Sequence, residues 1–393
     1  MNNQYPFNKE YGESVSSGHP DKLADAIADR IVSDTVVNYD KSLVGVEIAT
    51  SLKHVFITGR IAVKKPRCAS SAQAIHKSKA NLREIIKSVY QDAGYSKKWN
   101  PNPDSLIINI DGLVQDSLHE GEENIRKLSD DQSITVGYAV NSPETGYIPR
   151  GQWLSRVIMA ELMKTTQNLD QFGPDAKVMT EVSVDGSEWK LDKLVCSIQH
   201  SPDIYWEDIG KTIRKVLEKV SATMVPSNCE IDPWNVELIA NGHGDFTTGG
   251  PTGDNGLSGK KLVVDAYGPM VPIGGGAFSG KDPHKVDRIG PLLAREIALK
   301  SLMDNNLSHE TVWLTWAPGE QKYISIRSAS GLAEKLTGEF PNAINECFDR
   351  YFGKKTNTLK RLPDLAIHGW FGVHKRLSWE NVINHPIKKE EKQ

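Results

Sequence analysis

Gly249 to Arg288 reads GGPTGDNGLSGKKLVVDAYGPMVPIGGGAFSGKDPHKVDR. Two glycine-rich loops flank one short strand, and acids and lysines stand at fixed offsets in both loops. Glycine lets backbone amides approach a ligand closely and tolerates positive φ. Lysines beside such loops suit phosphate oxygens. Gly275, Gly280 and Lys281 keep the spacing of a phosphate-binding loop, but Asp282 follows where that motif places Ser or Thr for Mg²⁺. By itself the run reads two ways, as a pair of tight turns or as a cradle for an anion.

Working outward, Ser17-Gly18-His19-Pro20-Asp21-Lys22 is a turn that feeds a helix. Pro20 suits a first helical position, and Leu23, Ile27 and Ile31 recur every four residues with Ala24 and Ala28 beside them. His19 and Asp21 therefore stand near the positive end of a helix dipole, where an acid is as readily a cap as a ligand. Leu43–Thr50 and His54–Val63 are rich in Val and Ile and form a strand hairpin. Glu47 lies inside the first strand, where a lone acid ordinarily faces water. A helix over 71–93 and a short strand over 105–110 follow. Residues 115–130 are polar and acidic and read as a mobile loop.

A strand over 131–138 and a helix over 151–166 come next. Two strands, 177–184 and 191–199, flank Asp185-Gly186, a hairpin signal, and a helix over 205–221 follows them. Beyond the glycine loops, Pro283 opens a helix capped by Asp282 and interrupted at Gly290-Pro291. Strands over 311–316 and 323–327 precede a helix within 332–351 that splits near Pro341. Residues 1–12 read as a polar, ragged end and KKEEKQ as a solvated one. Three times a strand pair accompanies two helices. That pattern predicts an α+β fold of three similar domains, each a mixed sheet with helices on one face. The ranges are 5–112, 128–247 and 248–385.

A chain of 393 residues has room for two or three cores. Its 38% hydrophobic and 25% charged content is that of a globular protein. A formal net charge of −3 argues against bulk attraction to nucleic acid or to an anionic membrane. No apolar run reaches the ~20 residues of a membrane span, and the N-terminus lacks the basic-then-apolar signal pattern. Cys68, Cys196, Cys229 and Cys347 show neither metal spacing nor a disulfide framework, which fits a reducing cytoplasm.

GGPTGDNGLSGKK, GGGAFSGKDPHKVDR and, far upstream, ESVSSGHPDKLADAIAD together resemble the S-adenosylmethionine synthetase (methionine adenosyltransferase) family. DDQSITVGYA at Asp130–Ala139 resembles that family's DQG…GYA segment, and GPDAKVMTEV at Gly173–Val182 resembles its DAK strand. The five motifs run in order from about Glu13 to about Gly372. The resemblance implies three related domains in a pseudo-threefold arrangement, interlaced by chain crossings. It also implies a homodimer or homotetramer paired through sheet faces, with active sites between subunits. The implied reaction joins the sulfur of L-methionine to C5′ of ATP. The triphosphate leaves and is cut to pyrophosphate and phosphate. Other readings are a family member with a different thioether substrate, a triphosphate hydrolase, and a non-catalytic nucleotide-binding subunit.

Such chemistry needs in-line alignment and neutralisation of a highly charged leaving group, by Mg²⁺ held on acids and by lysines. Carried onto matching positions, the resemblance gives His19, Lys281 and Lys285 catalytic roles. His19 sits at the ATP 5′-oxygen and triphosphate. Asp21 and Asp287 each hold a Mg²⁺, and Glu47 holds K⁺. Asp175, Lys177, Asp245 and Phe246 contact the nucleotide, and Asp254 lies between ATP and methionine. Lys260, Lys261 and Lys281 hold the triphosphate, with Ala277 lining the same pocket. Gln115, Asp131 and Lys285 serve the amino acid. The chain departs from the family pattern at Thr58-Gly59-Arg60, where the family has GGE, so Arg60 replaces an acid near methionine. It departs again at Gln115-Asp116-Ser117-Leu118-His119, where the family has QSPDI, at Gly244-Asp245-Phe246, where it has GRF, and at Lys260, where bacterial members commonly carry Arg.

Overall fold

A computed structural model describes residues 5–39, 41–64, 71–96, 98–353, 357–372 and 377–380, with only the backbone at 71–80, 123 and 125. Cys68 and the KKEEKQ end lie outside these residues.

Twelve strands build three sheets among the described residues. The first sheet contains β1 (Lys9–Val15), β6 (Phe172–Asp185), β7 (Glu188–His200), β8 (Cys229–Glu230) and β9 (Glu237–Ala240). The second contains β2 (Ser42–Ser51), β3 (His54–Val63), β4 (Ile107–Ser117) and β10 (Gly256–Leu257); the third contains β5 (Ser133–Val140), β11 (His309–Trp316) and β12 (Ser325–Ser328). The helices are α1 (Pro20–Asn38), α2 (Ser71–Asp92), α3 (Arg150–Thr166), α4 (Trp206–Thr223), α5 (Gly250–Gly253), α6 (Leu262–Asp265), α7 (Val286–Asp304), α8 (Ile344–Phe352) and α9 (Leu362–His368).

Each sheet carries a pair of helices. α3 packs on the first sheet with α4 beside it, α1 on the second with α2 against α1, and α7 on the third with α8 against α7. This is the three-domain α+β plan expected from the sequence. The two predicted hairpins form as read, β2 antiparallel to β3 and β6 antiparallel to β7. Alternation explains the first of them. Val44, Val46 and Ile48 point inward from β2, as Val55, Ile57 and Ile61 do from β3. At the β6–β7 turn, Gly186 adopts φ +60°.

The sheets also draw strands from distant parts of the chain. β1 pairs with β6, β10 with β2, and β5 with β11. Two apolar cores result. The larger joins the second and third sheets through α1 and α7, while the other lies between the first sheet and α3 and α4.

Local readings need five corrections. Residues 9–12 are strand rather than a loose end, because β6 supplies their backbone partners. β4 runs on through Ser117 beside β3, and Glu122–Lys127 is a 3₁₀ helix, so 115–130 is largely ordered into elements. Leu262–Asp265 is a helical turn, not a strand. The last long helix begins at Val286, since Asp282 spends one carboxylate oxygen on the His284 N–H at 3.0 Å. Pro291 lies inside α7 without ending it. No helix among the described residues is long and apolar enough to cross a membrane.

Candidate active site

Asp21, Asp25 and Asp29 recur every four residues along one stripe of α1. Each accepts a backbone N–H from a glycine-rich loop. Leu257 donates to Asp21 Oδ1 at 3.0 Å, Gly259 to Asp25 Oδ1 at 2.8 Å, and Gly280 to Asp29 Oδ1 at 2.9 Å. All three acids are buried. The spacing is a match of lengths. Four helical residues rise about 6 Å, and two extended residues span about 6.6 Å, so alternate residues of the first loop meet successive acids.

In that loop the Lys261 Nζ stands 3.0 Å from Asp21 Oδ2, and the Lys260 Nζ 3.8 Å from Asp21 Oδ1. Burial raises the Asp21 pKa, but the Leu257 N–H and Lys261 outweigh it and hold the carboxyl below its ordinary value. His19 caps α1, its Nδ1 accepting the Asp21 N–H at 3.2 Å. Burial first, then the charge of Lys177, pushes the imidazole down to about 3. It is therefore neutral near pH 7, with its proton on Nε2.

The second loop is held more tightly still. Gly280 has φ +84°, in the left-handed region that glycine tolerates. Its carbonyl accepts the Val46 N–H at 2.8 Å. Arg288, buried against Asp29, donates from Nε to the Lys281 carbonyl at 2.6 Å. The Lys281 ammonium lies on Asp287, whose other oxygen accepts from Ser133 Oγ at 2.7 Å. Gly276 passes so close that a Cβ there would sit 2.1 Å from the Asp287 carboxyl. Ala277 packs on Gly259 and so joins the second loop to the first.

Asp175 Oδ2 accepts the Gly250 N–H at 2.7 Å, while Oδ1 is buried without a hydrogen-bond partner. Burial pushes its carboxyl up to about 6. Lys177 follows on the exposed side of β6. Phe246 exchanges two hydrogen bonds with His200, its N–H donating to Nε2 and its carbonyl accepting from the His200 N–H, both at 3.0 Å. Asp245 beside it is exposed, and Asp254 is exposed with Oδ1 accepting the Asn255 N–H at 2.8 Å.

A cleft next to the second loop is lined by Leu43, Arg60, Glu122, Arg126, Asp130 and Lys285, among others. Lys285 pairs with Asp130. Asp131, the residue expected there, is exposed and accepts the Gln132 N–H at 2.8 Å. Arg60 Nε donates to both oxygens of Asp116 at 3.1 Å, and the two Nη groups reach Glu122. The hydrogen bond from Arg60 holds the Glu122 carboxyl far below its ordinary value. Arg126 Nη2 donates to Asp282 Oδ2 at 2.8 Å. Gln115 lies in β4 opposite Ile61, and Glu47 is exposed on β2 opposite Thr58.

The structure thus brings His19, Asp21, Lys260 and Lys261 into one cluster and Lys281, Ala277 and Asp287 into a second against it. Asp175 and Lys177 border the first. Arg60 and Lys285 share the adjoining cleft. Glu47, Asp131 and Asp245 make no side-chain link to these clusters among the contacts described, and Asp254 meets Asp175 only through its charge, which adds to burial in raising that carboxyl. Sequence reasoning missed Asp25, Asp29, Arg288, Glu122, Asp130 and Ser133. Only the first two had a signal, the four-residue spacing from Asp21.

Among the described residues no three His, Cys, Asp or Glu side chains converge as a metal cage. Asp21 and Asp287 instead present single hard-oxygen donors, each beside a lysine. That donor set fits an ion of the Mg²⁺ kind, which takes one or two carboxylates and completes its shell with phosphate oxygens and water.

Comparison with known proteins extends over this whole arrangement. The S-adenosylmethionine synthetase N-terminal, central and C-terminal domain families match residues 10–111, 126–246 and 248–381. An S-adenosylmethionine synthase of Wolinella succinogenes is 33% identical over 320 residues, covering 80% of this chain and 78% of that one. One from Prochlorococcus marinus is 31% identical over 400 residues, covering 94% and 95%. A solved structure from Campylobacter jejuni, described as an unusual S-adenosylmethionine synthetase, superposes with a TM-score of 0.82 at 25% identity, covering 96% of this chain and 97% of that one. With lysines and acids gathered on paired glycine loops, the fold is that of an adenosyl-transferring enzyme. The chain belongs to the S-adenosylmethionine synthetase family.

Proposed function

We propose that this chain makes S-adenosylmethionine from ATP and L-methionine by in-line attack of the thioether sulfur on C5′, and then hydrolyses the triphosphate to pyrophosphate and phosphate. One observation carries the reading: Lys260, Lys261 and Lys281 converge with Asp21 and Asp287 on two glycine loops fixed to one face of α1. The three ammonium groups outnumber the two carboxylates beside them, and the surplus positive charge suits a triphosphate.

In this reading the three lysines bind the triphosphate and counter the charge that grows on the leaving oxygen. Neutral His19 donates from Nε2 to the oxygen that leaves C5′. Asp175 and Lys177, with Phe246 and Asp245, orient the nucleotide. Asp254, Gln115, Asp131 and Lys285 serve the amino acid. Asp21 and Asp287 would each hold a Mg²⁺, and Glu47 a K⁺. Bound Mg²⁺ supplies charge neutralisation and phosphate alignment. No general base is needed, because a thioether sulfur carries no proton. We further propose a cytoplasmic homo-oligomer whose sites are completed by a second copy.

A second reading, a relative with an altered amino-acid substrate, is favoured by Arg60, which stands with Asp116 and Glu122 in the cleft beside Lys285. Incubation of the pure protein with ATP, Mg²⁺, K⁺ and methionine separates the readings. A sulfonium product with pyrophosphate and phosphate supports the first. Triphosphate cleavage without sulfonium formation points to a hydrolase. Sulfonium formed only from another thioether points to the altered substrate.

A further inference from the structure

We propose that Asp25 is a positioning residue for the triphosphate-binding lysines, acting through the backbone of Gly259. The proposal rests on the reading of Lys260 and Lys261 as triphosphate ligands. Asp25 is fully buried, so it cannot touch a nucleotide itself. Its Oδ1 takes the Gly259 N–H at 2.8 Å, immediately before Lys260. Gly259 in turn packs on Ala277 of the second loop. One carboxylate therefore fixes the root of both lysines and the spacing between the loops.

The second oxygen distinguishes Asp25 from an ordinary buried ion-pair partner. Asp25 Oδ2 accepts from Lys22 Nζ at 3.3 Å, but Lys22 also pairs with Asp265 and donates to the Ala366 carbonyl at 2.7 Å. Removing Asp25 leaves Lys22 with a carboxylate and a carbonyl. What is lost is the acceptor for Gly259. Asp29 lacks this redundancy, since it shares Arg288 with no other acid among the contacts described.

The test compares Asp25→Ala, which removes the acceptor, with Asp25→Asn, which keeps an amide oxygen for the Gly259 N–H while losing the charge and the acceptor that faces Lys22. Asp25→Leu keeps the branching at Cγ, in a larger side chain without an acceptor, and replaces the alanine variant should that one fail to fold. Binding of inorganic tripolyphosphate is measured by calorimetry, and kcat and KM for ATP by sulfonium formation. Asp25→Ala is expected to weaken tripolyphosphate binding and lower kcat/KM for ATP by roughly tenfold or more, with Asp25→Asn within about threefold of wild type. In a background carrying both Lys260→Met and Lys261→Met, Asp25→Ala should cost little further, since the contacts that Asp25 positions are then already gone. Equal losses in Asp25→Asn and Asp25→Ala would overturn the proposal and make Asp25 a charge partner only. So would wild-type binding in Asp25→Ala alongside weakened binding in Lys261→Met. Wild-type tripolyphosphate binding in Lys261→Met overturns instead the reading of the lysines on which the proposal stands.

Discussion

Lys281 lies on Asp287 across the start of α7, and Ser133 Oγ donates to the free oxygen of the same carboxylate at 2.7 Å. The ammonium is thereby held in place, with Arg288 donating to the Lys281 carbonyl and Asp29 accepting the N–H of the preceding Gly280. Preorganised charge of this kind acts on the transition state. Lys281→Met should lower kcat by roughly 10²–10³ with a smaller change in the ATP KM. Steady-state kinetics checks this. A change confined to KM would make Lys281 a ground-state ligand.

Asp21 is the acid that both lysines of the first loop approach. Asp21→Asn keeps an acceptor for the Leu257 N–H but loses the charge that a metal needs. It should cost a large part of the rate and shift the Mg²⁺ titration of activity to higher concentration. Turnover and Mg²⁺ dependence equal to wild type would remove Asp21 from the metal site.

Arg60 bridges Asp116 and Glu122. Arg60→Glu would set three carboxylates side by side, and their repulsion should loosen the segment carrying Glu122 against β3. The methionine KM should rise by roughly tenfold while the ATP KM stays nearly unchanged. Identical methionine kinetics in the two proteins would show that this cleft does not serve the amino acid.

Asp175 gives a pH signature. Burial raises its folded-state carboxyl to about 6, above the ordinary 3.8, so between those values the folded protein binds more protons than the unfolded chain. Stability from this group is present at low pH and is lost as pH rises towards 6 and beyond. Asp175→Asn should therefore gain thermal stability relative to wild type on going from pH 4 to pH 7, by at most on the order of 3 kcal/mol. Melting curves in the two buffers test it, with bound nucleotide absent. A constant difference across the range would contradict the buried, raised carboxyl.

What the sequence settled by itself was local and periodic. The Leu23, Ile27, Ile31 spacing marks α1, and alternation either side of a tight turn marks the β2–β3 and β6–β7 hairpins. Those patterns follow from the 3.6 and 2.0 residue periods alone. The glycine loops and their lysines also stand out in the sequence, but spacing and residue type alone leave them readable as tight turns or as an anion cradle. The tertiary structure decided which distant segments meet. β1 joins β6, and β5 joins β11, through backbone hydrogen bonds that any residues can make, so nothing in either segment names its partner. It also decided the charge pairings. Glu122 joins Asp116 on Arg60, and Asp130 rather than Asp131 meets Lys285, because a displacement of one residue along the chain redirects a side chain. Asp25 shows both limits at once. Its four-residue spacing from Asp21 and Asp29 is written in the sequence, but only the packed fold brings the amide of Gly259, 234 residues away, within reach of its oxygen.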